Sequence, residues 1–206
     1  MNRNMSRDSI ESTCNVGMNE LGQYLEKVLG ELHGSYDREI EEIEATESWD
    51  PDDVESPKEL IFLQHREIFL PILFDSFIVV TYSQLEYLTK QVVALLRQET
   101  GHPVGLSKFK GDLLERVELF LQSSGLRTVD TALTMPLVRL TLVRNCIVHN
   151  AGLLPGSQNE ASLRAALASA NLAINDAGRI HVTPSYCRDL LPQASAFLAA
   201  LLRARC

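Results

Sequence analysis

The feature that most constrains the fold of this 206-residue chain is a long helical pattern from Pro57 to Thr100. Beyond Pro71, apolar side chains recur at helical spacing and keep one broad apolar face. They are Phe74, Phe77, Ile78, Tyr82, Leu85, Leu88, Val92 and Leu95. Pro71 lacks a backbone N–H, so it must kink or split the helix. Such a stripe is typical of a helical core or a dimer interface, and it predicts an all-α protein.

The ends of this helix carry recognisable start and stop signals. Ser56 can cap the helix, Pro57 suits the first turn and Glu59 completes a capping box. Gly101 and Pro103 end the pattern. Further helical patterns cover residues 18–32, 107–124, 130–150, 163–172 and 185–203.

A small β-hairpin is predicted before the C-terminal helix. Residues 175–178 supply the turn, and Ile180 and Val182 alternate with polar neighbours. His181 is therefore predicted to be an exposed strand residue. The predicted fold class is an all-α bundle with this hairpin as its β-structure.

The chain is predicted to have three segments. Residues 1–17 are polar without periodicity, and we expect them to be disordered. Residues 18–56 are expected to form an N-terminal helix and an acidic linker, and residues 57–206 the helical domain. The acidic stretch 37–55 is interpreted as a solvated face. The alternatives are a contact for a basic partner and a mimic that blocks a basic groove.

The net charge of −8 at pH 7 and the pI near 5.1 argue against broad, non-specific binding to nucleic acid. Such binding depends on neutralising phosphates with Lys and Arg. A local basic site remains compatible with this composition. An acidic body also favours a basic partner, or restricts which RNA gains access.

The cysteines are far apart and form no C-x-x-C pair; they are Cys14, Cys146, Cys187 and Cys206. Cys146 and His149 form one C-x-x-H without a second ligand pair, so a zinc site is not expected. We expect reduced thiols, with Cys14 and Cys206 in mobile ends and Cys146 in packing. No P-loop, dinucleotide fingerprint or H-E-x-x-H occurs, so neither a metal nor an organic cofactor is expected.

The sequence predicts a cytoplasmic protein without a membrane segment. Residues 1–12 lack the apolar region of a signal peptide. The longest apolar run, residues 68–82, is interrupted by Pro71 and Asp75 and is too short to span a bilayer.

The chemistry-bearing residues concentrate near the end of the helix predicted over residues 130–150. Asn145 and His149 lie four residues apart and share a helix face, while the long side chain of Arg144 can curl towards them. Gly152 and Pro155 stop the helix just beyond. Arg can hold a phosphate bidentately and His can move a proton at neutral pH, which is a basis for phosphodiester chemistry. The alternative is a surface Arg and a helix C-terminus capped by Asn and His.

The stretch Arg144-Asn145-Cys146-Ile147-Val148-His149 resembles the R-x4-6-H signature of HEPN domains. The Asn after the Arg and the Gly three residues after the His strengthen the resemblance, as does the helical pattern over residues 57–204. The piece 82–88 resembles the early helix of many HEPN domains, where an aromatic and a Glu recur before a Leu. The resemblance implies an all-helical, dimerising module, often a metal-independent ribonuclease of toxin–antitoxin or antiviral defence systems.

By this resemblance, Arg144, Asn145 and His149 are the expected catalytic residues. His149 acts as base or acid, Arg144 stabilises charge on the phosphate, and Asn145 orients His149 or binds substrate. A homodimer would supply the second His149 and a composite site.

Other basic residues are candidate contacts for RNA phosphates. Lys108 and Lys110, together with Arg116, give a basic start to the helix predicted from Ser107, and surface solubility is the alternative. Arg139 is expected to add charge to the rim near the motif. An antitoxin or another defence protein is an expected partner.

Two rival functions stay open at this point. The chain could be a non-catalytic interaction module in which the motif residues are structural. It could also be a nucleotide-binding unit of the same family that does not cleave RNA.

Overall fold

The computed structural model describes residues 6–45, 57–156, 160–170 and 172–204. Its helices are α1 (Arg7–Ala45), α2 (Pro57–Gln64), α3 (Leu70–Thr100), α4 (Leu113–Ser123), α5 (Thr131–Asn150), α6 (Glu160–Ser169) and α7 (Pro184–Leu202). An antiparallel hairpin of β1 (Ala173–Ile174) and β2 (Ile180–His181) precedes α7, with Ile174 opposite Ile180. The predicted all-α class with a small hairpin before the C-terminal helix is confirmed, and His181 is exposed as expected.

The predicted long helix is divided by a π-helical turn, His65–Phe69, between α2 and α3. Pro71 lies in the first turn of α3, where its missing N–H costs least. The prediction that this element splits near Pro71 is therefore confirmed. At the other end, Gly101 adopts a left-handed conformation, with φ of 67°, and closes α3.

Helix α3 lies at the centre of the bundle and packs against α1, α5 and α7. Its predicted apolar face is buried apart from the half-buried Tyr82. Phe77 belongs to the same core as Phe120 of α4 and Phe197 of α7, and each of these rings is at most 1% exposed. Burying each ring contributes roughly 1.5–3 kcal/mol before entropy costs. Leu140 of α5 is buried in the same core, which therefore holds α5 against α3.

The N-terminal segment differs from its prediction. Residues 7–17 are the first turns of α1 rather than disordered, and Ile10, Cys14 and Met18 are buried. Their spacing of four residues extends the apolar stripe towards the N-terminus, so the polar neighbours simply face solvent. The expectation that Cys14 lies in a mobile end is wrong for the same reason. Cys206 lies outside the described residues.

Helix α1 belongs to the same core as the rest of the bundle. Arg7 forms an ion pair with Glu99 of α3 and donates a hydrogen bond to the Leu202 carbonyl of α7. Acidic residues 37–45 continue α1. The remainder of the predicted linker, residues 46–56, lies outside the described residues, as does the proposed cap Ser56.

Helix α4 begins later than predicted. Ser107 lies in a short 3₁₀ turn, Leu106–Lys108, and α4 starts only after Asp112. Asp112 and Glu115 form a capping box, with Oδ1 of Asp112 accepting from the Glu115 N–H at 2.9 Å. Gly111, with φ of 109°, prevents the helix from starting earlier. Lys108 and Lys110 therefore lie on a loop.

Two helical stretches in the described part of the chain, Pro57–Thr100 and Thr131–Asn150, are long and apolar enough to cross a bilayer by length and composition. The first is 44 residues long and contains an 18-residue window with a mean hydropathy of 1.6. Core helices of soluble proteins pass the same test. The buried face of α3 packs on α1, α5 and α7, but only 33% of the most apolar 18-residue window of this stretch is buried.

Exposed apolar side chains follow one another along α2, the π turn and the start of α3. We call them the α2–α3 apolar surface; they are Leu60, Phe62, Leu63, Ile68, Phe69 and Ile72. Each is at least 37% exposed. A run of this kind is typical of a surface that meets another molecule.

Candidate functional site

Helix α5 carries the motif and is anchored along one face. Asp130 caps its start, accepting from the Ala132 N–H at 2.8 Å. Leu137, Leu140 and Val143 are buried, and the partly buried Ile147 packs against the same core. The predicted core-facing side of this helix is confirmed, whereas its regular part begins at Thr131 rather than after Met135, with Pro136 inside the helix.

The end of α5 is built from two consecutive left-handed residues. Ala151 has φ of 50° and Gly152 has φ of 78°. The N–H groups of both donate to the Cys146 carbonyl, which ends the helix in a tight turn. Gly152 was expected to stop the helix, but the left-handed Ala151 was not, because a residue with a Cβ rarely adopts that conformation.

The hairpin holds this turn in place. The Leu154 N–H donates to the Gly178 carbonyl at 3.0 Å, and the Ile180 N–H donates to the Gly152 carbonyl at 2.9 Å. The amide of Asn150 donates to the Leu153 carbonyl. The last turn of the motif helix is therefore positioned by β2 rather than left to fray.

Asp75 and Arg179 form a half-buried ion pair that sequence reasoning missed. Arg179 packs over Gly152, so the pair joins α3 to the end of the motif. Burial raises the pKa of the Asp75 carboxyl, and Arg179 opposes that rise. Burial, followed by the nearby Asp75 charge, raises the pKa of the Cys146 and Cys187 thiols. The available signal was a lone carboxylate inside the apolar run 68–82.

Arg144 is held from two sides. Its Nη1 donates to Oδ1 of Asn145 at 2.9 Å, and its Cζ lies 5.2 Å from the centroid of the Tyr82 ring. Its Nε is buried without a hydrogen-bond partner in the described part of the chain. A cation over an aromatic face is stabilised by about 0.5–2 kcal/mol. The guanidinium therefore has a defined orientation before any ligand arrives.

The phenol of Tyr82 is itself perturbed. Burial raises its pKa, the carboxylate of Glu86 raises it further, and Arg144 opposes the rise. Glu86 pairs with Lys90 at 2.9 Å and with Arg116 of α4 at 3.8 Å. The aromatic–Glu pattern at residues 82–86 thus contacts the motif Arg on one side and two cations on the other.

His149 is exposed in the last turn of α5, and no hydrogen bond to its ring is found among the described residues. Asn145, also exposed, lies one helical turn earlier on the same face. The structure therefore brings Arg144 and Asn145 into contact and leaves the imidazole of His149 open to solvent nearby.

The predicted substrate contacts lie apart from one another. Arg139 is half-buried and lies near the hydroxyl of Tyr186 in α7. Burial raises the pKa of that hydroxyl, and the charge of Arg139 opposes the rise. Arg144 instead faces Tyr82 of α3, so the two arginines point to different neighbours. Lys108 and Lys110 are exposed on the loop before α4.

A cation, an amide and an imidazole in two helical turns can bind an anion and exchange a proton. Among the described residues, no group of three or more His, Cys, Asp or Glu side chains is placed to hold a metal ion. Comparisons of the chain with protein-family models, with curated proteins and with solved structures found no match.

Proposed function

We propose that this chain is a metal-independent endoribonuclease of the HEPN type, acting in the cytoplasm as a toxin or an antiviral-defence effector. One observation carries the proposal: Arg144 is oriented by Tyr82 and Asn145, and the exposed His149 lies one turn beyond Asn145. Charge stabilisation by a fixed donor and proton transfer by an imidazole are two of the requirements of RNA cleavage by its own 2′-hydroxyl.

The reaction would proceed by attack of the 2′-oxygen on the adjacent phosphorus. His149 takes the 2′-hydroxyl proton as the new O2′–P bond forms, and Arg144 stabilises the charge on the phosphate oxygens. The P–O5′ bond breaks as the 5′-oxygen receives a proton. The products are a 2′,3′-cyclic phosphate and a 5′-hydroxyl end.

Arg144 is suited to this role because its side chain is already oriented before substrate binds. The ring of Tyr82 covers one face of the guanidinium, and Asn145 engages Nη1. A donor fixed in advance stabilises a transition state without reorganising during the reaction. Asn145 thus acts as a positioning residue whose amide NH₂ can also reach substrate.

A second His149 would supply the proton for the leaving oxygen, and we propose that a two-fold homodimer provides it. The α2–α3 apolar surface and the 44% exposed Val148 of the motif support such an interface. An antitoxin or another defence protein is the further partner that the proposed role requires.

A non-catalytic interaction module is the second candidate, and the same α2–α3 apolar surface favours it. In that case the contact between Arg144 and Asn145 serves only to stabilise the end of α5. Cleavage of RNA decides between the two functions, because an interaction module has none.

The test compares His149→Ala with His181→Ala. Both imidazoles are exposed, but His181 is on the hairpin strand β2. We expect RNA cleavage in excess EDTA by the parental protein, a loss of about 10²–10⁴-fold in His149→Ala, and no change in His181→Ala. Activity that disappears in EDTA and returns with magnesium would overturn the proposed chemistry, as would parental activity in His149→Ala.

A further inference from the structure

A pocket separate from the motif lies between α3, the loop that leads into α4, and α4 itself. Its cavity volume is about 260 Å³. Lys90, Arg97 and Arg116 supply three cations around it, and the exposed Ser107 adds a hydroxyl. The buried side chains of Val93 and Leu106 line its floor.

The two arginines of this pocket are held in place through their Nε atoms. Nε of Arg97 donates to the His102 carbonyl at 3.2 Å, and Nε of Arg116 donates to the Asp112 carbonyl at 3.1 Å. The terminal Nη nitrogens carry no hydrogen bond among the described residues, apart from the 3.8 Å ion pair of Arg116 with Glu86. Two guanidinium groups fixed at one nitrogen, with the others available, are preorganised for an anion.

The loop around the pocket is also fixed. Nδ1 of His102 is 3.0 Å from the Val104 carbonyl, and its ring packs edge-on against Phe120 at a centroid distance of 5.5 Å. Arg97 therefore binds a carbonyl that is itself positioned by the core. This rigidity lowers the entropy cost of binding a small ligand.

The local charge of the pocket is opposite to that of the molecule. Three of the residues that line the pocket are cations, and none of its lining residues in the described part of the chain is acidic, although the net charge of the chain is −8. The nearby carboxylates are Glu86, which pairs with Lys90 and Arg116, and the capping residues Asp112 and Glu115 at the start of α4. Glu86 is close to Lys90, at 2.9 Å, but farther from Arg116, at 3.8 Å. It therefore offsets the charge of Lys90 more than that of Arg116, and positive charge remains on the pocket wall. An anion is the ligand that this arrangement stabilises.

We propose that this pocket binds a phosphate group. Guanidinium groups match phosphate oxygens bidentately, and Lys90 and Ser107 supply further donors. The volume of about 260 Å³ lies just below the range of pockets that enclose drug-sized ligands, so it suits a phosphate with its sugar rather than a dinucleotide cofactor.

The pocket lies on the same helix as the residue that orients the motif arginine. From Tyr82, Lys90 is about 12 Å and Arg97 about 22 Å along α3 at 1.5 Å per residue. A stacked strand covers these distances with roughly four to seven nucleotides at 3.4 Å each. The phosphate in the pocket has two possible sources. One is an RNA strand whose reactive phosphate is bound at Arg144, and this source rests on the proposed function. The other is a free nucleotide.

The test measures binding directly, with inorganic phosphate, AMP and a twelve-nucleotide single-stranded RNA as separate probes. Arg97→Gln combined with Arg116→Gln removes two pocket cations, and Lys90→Gln removes one without touching a backbone hydrogen bond. Arg164→Gln, an exposed arginine on α6, is the matched charge control. Backbone NMR shifts of residues 105–107 report the site, and circular dichroism confirms folding.

We expect saturable phosphate-induced shifts at residues 105–107. The affinity for phosphate should fall at least tenfold in the double variant, several-fold in Lys90→Gln and less than twofold in Arg164→Gln. If the double variant also loses affinity for the RNA, the strand is the source of the phosphate. If it loses affinity for phosphate and AMP but not for the RNA, the source is a free nucleotide. Absence of saturable shifts in the parental protein, or equal affinity in Lys90→Gln and the parent, overturns the site. His149→Ala should retain phosphate binding, so failure of cleavage and failure of this site are distinguishable.

Discussion

The orientation of Arg144 leads to a prediction about charge and shape. Arg144→Lys keeps the cation over Tyr82 but loses the planar fork that holds a phosphate bidentately. We expect cleavage to fall on the order of 10²-fold, with the melting temperature close to that of the parent. Rate assays beside thermal melts check this, with Arg164→Lys as the control. A parental cleavage rate in Arg144→Lys would assign the guanidinium a purely structural role.

The thiols provide a second prediction at this scale. Burial raises the pKa of Cys14 to about 11 and that of Cys187 to about 12, and it also raises the pKa of Cys146. Because the thiolate is the reactive form, these cysteines should react slowly with a disulfide reagent at pH 8 and rapidly after denaturation. Fast native-state modification of Cys146, located by mass spectrometry, would contradict the burial described for the motif.

Residue types allowed the motif to be found, but not its surroundings. Arg144, Asn145 and His149 stand out because they lie within six residues of one helix. The ion pair between Asp75 and Arg179 joins residues 104 positions apart, which no local pattern reveals. The helical period also placed Tyr82 on the apolar stripe without indicating which side chain would cover its ring.

At the scale of elements, the turn after α5 requires a left-handed residue without a side chain at position 152. Its φ is 78°, and a Cβ there would lie 3.2 Å from side-chain atoms of Arg179. Gly152→Ala should therefore lower the free energy of unfolding by about 1–3 kcal/mol, measured by chemical denaturation. Gly156→Ala is the matched control, since its φ is 81° but no atom of the described residues would lie within 4 Å of its added Cβ.

The two variants separate backbone strain from the contact with Arg179. Gly156→Ala should cost only the left-handed strain of about 1 kcal/mol. Equal losses in both variants would show that the side chain of Arg179 yields freely and adds no cost at Gly152.

Element boundaries were predictable where one signal dominated. Asp130 and the glycine after the helix mark the two ends of α5, although Pro136 wrongly indicated that the regular helix would begin only after Met135. The start of α4 was misplaced because Ser107 and Asp112 are both good caps, and Gly111 favours the later one. The first turns of α1 were missed because polar residues separate Ile10, Cys14 and Met18.

For the whole molecule, the α2–α3 apolar surface predicts self-association. Light scattering at micromolar concentration should report about twice the 23.0 kDa chain mass. Phe62→Asp, on this surface, should shift the protein towards monomer by burying a charge in the interface. Tyr24→Asp, at another exposed aromatic on α1, should leave the mass unchanged. A parental protein that is monomeric at every accessible concentration would argue against a composite site.

The features of the architecture that could be predicted are those that the pattern of apolar residues indicates. Helix class and the hairpin follow from residue patterns, and so does the division of the long helix near Pro71. The packing of α1 into the same core as α7 was not predicted, because contacts between the two ends of a chain leave no periodic signal. The pocket of Lys90, Arg97 and Arg116 likewise combines two helices and a loop.

The contact between Arg7 and the Leu202 carbonyl spans 195 positions of sequence, and it has a consequence for biosynthesis. At about 5–20 residues per second, a ribosome needs roughly 10–40 s to make the chain between them. Throughout that time the apolar stripe of α1 lacks α7, one of the helices that cover it. A nascent chain is therefore open to chaperones and to neighbouring copies until its last helix emerges.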